Sequence, residues 1–143
     1  LFRSGVGRTL SGSMTGTNKF YNLTFNSATG DWSFGANAAD VENNFTITTT
    51  AAGGVTAPST TLKVGGNFVH TAGIFTHNSG TVELNGTGAQ AIPTTATTFN
   101  VLTLNNTGGT VSLNAATTFS MGVRPPFNYV KLLNKKRTIR KKA

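Results

Sequence analysis

Two histidines, four acids and a scatter of hydroxyls are all that the body of this chain offers for chemistry. His70 and His77 sit in rhyming contexts, Phe68-Val-His-Thr71 and Phe75-Thr-His-Asn78. A metal site would want a third ligand, and only Glu83 lies near them in sequence. Both histidines are therefore expected at surface or ladder positions. Asp40 and Glu42 lie two residues apart beside a turn. General acid–base work on a glycosidic bond needs two carboxylates roughly 5 to 10 Å apart, and a solvated rim is the simpler reading of this pair. Acid clusters, or Lys and Arg beside acids, of the kind polysaccharide-cutting solenoids use, are not apparent. Ser and Thr are abundant, but neither His has an adjacent acid and no nucleophile-elbow motif occurs. Gly65-Gly-Asn67 and Gly86-Thr-Gly88 lack the lysine and helix of a phosphate loop and read as turns. The calcium-repeat pattern Gly-Gly-x-Gly-x-Asp is missing too. The sequence thus assigns no catalytic, cofactor-binding or metal residue, and the chain reads as a non-enzyme.

Charge sharpens this. The net charge is +8, but up to Met121 the basic residues Arg3, Arg8, Lys19 and Lys63 are balanced by Asp31, Asp40, Glu42 and Glu83. The excess begins at Arg124 and peaks in Lys135-Lys-Arg137 and Arg140-Lys-Lys142. Such runs neutralise phosphates without reading bases, and no base-reading framework accompanies them. A solvated basic tail over 123–143, atypical of the rest, is expected, and nucleic-acid binding is not. Cysteine is absent, which excludes disulfides and thiolate chemistry. No run approaches the roughly 18 apolar residues of a membrane-spanning helix. The chain begins at Leu1 rather than Met, so it reads as a fragment, a processed chain or an expressed piece, and without a signal-peptide pattern at its start any export signal is expected outside it.

The elements that must carry these residues are short strands. Leu23-Thr-Phe25, Trp32-Ser-Phe34, Phe45-Thr-Ile47, Leu62-Lys-Val64, Phe68-Val-His70, Ile74-Phe-Thr76, Val82-Glu-Leu84, Val101-Leu-Thr-Leu104, Val111-Ser-Leu113 and Phe119-Ser-Met121 alternate apolar and polar residues, as strands with one buried face do. Their spacing, about 8 to 12 residues, suits an all-β architecture. Turn residues separate them, and Gly30, Gly80, Gly109, Asn26, Asn78 and Asn105 are the turn candidates because Gly and Asn tolerate positive φ. Two echoes indicate repetition. Phe20-Tyr-Asn-Leu-Thr-Phe-Asn26 resembles Phe99-Asn-Val-Leu-Thr-Leu-Asn105 at an offset of 79 residues, and Val41-Glu-Asn-Asn-Phe-Thr-Ile-Thr48 resembles Val64-Gly-Gly-Asn-Phe-Val-His-Thr71. Repetition of short strands with small-residue corners favours a right-handed parallel β-solenoid over 20–122, preceded by a leading segment or partial coil over 1–19. An antiparallel β-sandwich with hairpins at Asn-Gly and Ser-Gly is the alternative. In a solenoid, Asn44, Asn67 and the Asn26/Asn105 pair are candidates for stacked asparagine ladders. The Asn-x-Thr sequons at Asn22, Asn44, Asn85 and Asn105 are chance matches in so Asn- and Thr-rich a chain. Thr46-Ile-Thr48 and Thr95-Ala-Thr97 carry a weak suggestion of an ice-matching face, without coil-by-coil recurrence.

The run from Val64 to Ile92, with Phe99-Asn-Val-Leu-Thr-Leu-Asn-Asn106, resembles repeats of very large bacterial secreted and cell-surface proteins. There, phrases such as Gly-Asn-Phe, Thr-His, Gly-Thr-Val and Phe-x-Asn-Leu recur many times. The resemblance covers roughly residues 20 to 121. It implies a β-solenoid stalk or adhesin-like region outside the cell, with a structural or adhesive role. Its implied partners are neighbouring coils or other copies met through exposed end rungs, and glycans or other cell-surface components. Carbohydrate binding or processing is the alternative role. Val101, Pro93 and everything beyond residue 122 depart from the pattern.

Overall fold

The computed structural model describes residues 7–48, 54–92 and 96–113, and the backbone of 117–119 and 130–132. Every described strand pair is parallel. The strands stack as a β-solenoid of about five turns, so the antiparallel sandwich is set aside.

Each coil has three faces. The first carries β1 (Arg8–Thr9), β3 (Trp32–Ser33), β6 (Gly54–Thr56) and β9 (Ile74–Thr76), then β12 (Thr97–Phe99) and β15 (Thr117–Phe119). The second carries β4 (Ala39–Val41), β7 (Thr61–Val64), β10 (Thr81–Leu84) and β13 (Val101–Leu104) in one unbroken sheet. The third carries β2 (Leu23–Phe25), β5 (Phe45–Thr48) and β8 (Phe68–Ala72), then β11 (Gln90–Ile92), β14 (Val111–Leu113) and β16 (Val130–Leu132). On the second face of the first coil, single bridges join Met14 to Ala39 and Phe20 to Val41. A 3₁₀ turn, Gly16–Asn18, loops out between them. Parallel pairing also reaches into the basic segment, where Val130, Lys131 and Leu132 register with Val111, Ser112 and Leu113. What the sequence suggests for the rest of 123–143 lies outside the described residues.

Alternation explains the core. On the second face, Ala39, Leu62, Val82 and Leu102 form one inward column, and Val41, Val64, Leu84 and Leu104 another. All but the half-buried Leu104 are buried. Between the other two faces lies an aromatic spine. Phe25 meets Trp32 and Phe45, Phe45 stacks on Phe68 with ring centroids 5.2 Å apart, and Phe68 meets Phe99 edge-on at 5.2 Å. Burying each such side chain is worth roughly 1.5–3 kcal/mol, and stacking adds to it because each ring also lies against the next coil.

The coil is not of fixed length. Asparagine side chains at one corner bond to backbone amides 22, 23 and 24 residues away in successive coils, and at another corner Asn100 bonds to a carbonyl 20 residues away. The echo from Val41 to Thr48 is a true coil repeat, since Val41 pairs with Val64 and Phe45 with Phe68. The 79-residue echo is not. It sets β2 on the third face against β13 on the second, so the two phrases share vocabulary but occupy different sides. The strands without a clear sequence signal are β1, β4, β6, β11, β12 and β16. In β6 the one inward side chain is that of Val55, and in β11 and β12 Gln90 and Thr97 point inward.

The two outer ladders break at one place. No backbone ladder joins β8 to β11 on the third face or β9 to β12 on the first. β8 and β9 are consecutive, joined only through Gly73 at φ 89°. The opposing strands β11 and β12 are consecutive as well. The breaks therefore form one seam along a corner, while the second face runs through it intact.

Candidate functional site

Side chains that point out of the second face form in-register columns. Asp40, Lys63, Glu83 and Thr103 are direct neighbours along one of them. Adjacent parallel strands lie about 4.8 Å apart, so acidic, basic and acidic groups separated by 20 or more residues in sequence become an alternating ladder. Lys19 adds an ion pair to Glu42 at 3.2 Å, with both side chains about half exposed. Such pairs contribute only about 0–1 kcal/mol, so their interest is as a surface. The amide of Gly16 donates to Asp40 Oδ2 at 3.3 Å.

Beside this ladder lies an open groove of about 450 Å³, lined by Lys19, Asp40, Glu42, Lys63, Asn85 and Thr87 over a floor that includes Gly65 and Gly86. The floor is hollow because no side chain fits there. A Cβ on Gly65 would overlap the carbonyl oxygen of Glu42, and one on Gly86 that of Gly65. Sequence reading finds no lysine beside acids; stacking supplies one, because Lys63 sits between Asp40 and Glu83. The groove offers carboxylate acceptors and ammonium and amide donors side by side. Among the described residues, no group of three or more metal-ligating side chains converges.

The histidines separate. His77 is half-buried at the corner after β9, where its Nδ1 accepts from the amide of Ser79 at 3.0 Å. His70 departs from the expected surface or ladder position. It points inward on β8, stacked in register on Ile47, and is 2% exposed. Its Nε2 lies 3.1 Å from the Gly73 carbonyl and its Nδ1 2.8 Å from Thr97 Oγ1. A carbonyl can only accept, so Nε2 carries the proton and Nδ1 accepts from the Thr97 hydroxyl. Burial pulls the His70 pKa below its ordinary 6.5, against a smaller opposing effect of the Gly73 carbonyl. The signal in sequence was present but ambiguous: His70 occupies the apolar phase of Phe68-Val-His.

The asparagines divide by corner. Asn44 and Asn67 belong to a ladder in which Asn22 Oδ1 accepts from the Asn44 amide at 3.0 Å, Asn44 Oδ1 from the Asn67 amide at 2.8 Å, and Asn67 Oδ1 from the Ala91 amide at 2.8 Å. Asn22, noted in sequence only as a sequon, is its first rung. Asn26 and Asn105 do not stack, because one follows β2 and the other β13. Asn105 Nδ2 donates instead to Glu83 at 3.0 Å. Asn78 adopts φ 48° and its amide donates to the carbonyls of Ala57 and Gly35. Gly30, Gly80 and Gly109 serve close approach rather than positive φ: a Cβ on each would overlap the Trp32 ring, the Pro58 carbonyl, and the Gly88–Ala89 backbone respectively. Of the threonines weighed as an ice face, Thr46 and Thr48 are half-buried, Thr97 is buried inward, and Thr95 lies outside the described residues.

No helix among the described residues is long and apolar enough to cross a membrane. Compared with known protein families, curated proteins and solved structures, the chain matches none.

Proposed function

We propose that the chain is a non-enzymatic structural or adhesive repeat segment of an extracellular or cell-surface protein. One observation carries this reading. Coils of variable length keep the second face in continuous register while the aromatic spine runs through their interior. A body built by adding coils along one axis spaces and displays what is attached to it, since each coil depends only on its neighbours. Neighbouring coils or other copies meeting end rungs are its natural partners. The test is surface labelling: antibodies against residues 20–113 should stain intact cells of the source organism. Staining that appears only after lysis would sink the proposal.

A second reading, carbohydrate binding, is favoured by the groove beside Asp40, Lys63 and Glu83. Opposite charges alternate there, so the groove presents acceptors and donors for hydroxyls without a strong field for polyanions. Purified chain screened on an array of neutral oligosaccharides should bind at least one class. Asp40→Asn and Lys63→Ala should each weaken that binding about tenfold, equivalent to about 1.4 kcal/mol. Unchanged binding in both variants would remove the groove from consideration.

A further inference from the structure

The seam has no backbone ladder, so side chains must hold it. All three buried polar side chains in the described core, His70, Gln90 and Thr97, are found there. Gln90 Nε2 reaches back across the seam to the carbonyls of Val64 at 2.9 Å and Gly66 at 2.6 Å. Its Oε1 accepts from the Gly86 amide at 2.9 Å. Farther along the corner, His70 on β8 bonds to Thr97 on β12. Phe68 and Phe75 on one rim close on Phe99 of the other, at 5.2 and 5.7 Å between ring centroids. Of the polar clasps only His70 can change its charge near neutral pH.

Its surroundings give a proton no welcome. Among the described residues, the groups in register with, bonded to or ring-paired with the imidazole are Ile47 of β5, Phe75 of β9, Thr97 of β12 and the backbone of Gly73. None of these is titratable or charged. The adjoining segments 49–53 and 93–95 contain no ionisable residue. A second proton would land on Nδ1, the nitrogen that accepts from Thr97. The Thr97 hydroxyl would have to turn, and an imidazolium would sit in an apolar interior with no counter-ion among the described residues. Opening the seam hydrates that charge, whereas the second face, paired through β4, β7, β10 and β13, has no reason to yield.

We propose that His70 is an acid-sensitive latch whose protonation opens the seam between β8–β9 and the facing strands β11 and β12, with the second face acting as the hinge. The direction follows from linkage. The closed seam favours neutral His70, so its stability is fully present above pH 6.5 and is lost as pH falls below that value. The opening equilibrium should rise about tenfold per pH unit below 6.5, until the closed form itself takes up the proton. The latch does not depend on the role proposed above.

Hydrogen exchange on the full chain at pH 7.5 and 5.0, corrected for intrinsic rates, tests this. Peptides covering 68–76 and 90–99 should lose at least tenfold protection at pH 5.0, while 61–64, 81–84 and 101–104 keep theirs. His70→Gln, which can donate to Gly73 and meet Thr97 without titrating, should abolish the difference. His77→Gln should leave it unchanged. Equal protection of the seam at both pH values, or acid loosening spread evenly over all three faces, overturns the latch on the wild-type chain alone, whether or not the variant folds. The same acid loss in a folded His70→Gln chain overturns it as well.

Discussion

Single residues in this chain act mostly through the coil above or below them. Asn44 shows the logic: its side chain satisfies the amide of Asn67, a half-buried donor that would otherwise lose its partner. Asn44→Ala should therefore cost roughly 1–3 kcal/mol, the range for stranding such a group. The side chain of exposed Asn105 makes a surface bond to Glu83, and Asn105→Ala should stay within about 0.5 kcal/mol. Urea unfolding of the two variants checks the contrast. The glycines divide in the same way. Gly80 is buried against the Pro58 carbonyl, whereas a Cβ on Gly88 would meet nothing within 4 Å. Gly80→Ala should destabilise by about 1–3 kcal/mol through overpacking, and Gly88→Ala should be close to neutral. Equal midpoints for the two alanine variants would contradict the close-approach account.

At the scale of elements, strand strength follows position relative to the seam. Phe45 is fully buried between Phe25 and Phe68 and belongs to a continuous ladder. Phe75, on the strand that borders the seam, is only half-buried beside exposed Ile74. Phe45→Ala should cost about 3–5 kcal/mol, and Phe75→Ala distinctly less, because part of its surface is already in water. Thermal unfolding of both variants measures the difference. β11 and β12 show why some strands are hard to see in sequence. Their inward positions hold Gln90 and Thr97, which strand patterns place outside, and only the seam gives those polar groups buried partners.

For the whole molecule, nearest-neighbour stacking sets cooperativity. Stability in such an array is close to a sum of coil and interface terms, and here one interface lacks two of its three ladders. Unfolding should not be two-state. Trp32 fluorescence, which reports the second coil, should give a urea midpoint different from that of hydrogen-exchange protection at 101–104, in a later coil. Coincident transitions would mean that the second face alone couples the two halves fully.

The sequence by itself determined the all-β class and most of the strands, favoured the parallel solenoid over a sandwich, and offered Asn44 and Asn67 as ladder candidates. It could do so because alternation and small-residue corners are local properties of the chain. Tertiary structure decided what sits beside what. It separated Asn26 from Asn105 although their phrases match, since coils of unequal length let the same words fall on different faces. It set Lys63 between Asp40 and Glu83, a neighbourhood created only by register between coils. It turned His70 inward, because alternation fixes which residues share a side of a strand but the partners that satisfy a buried imidazole come from a later coil.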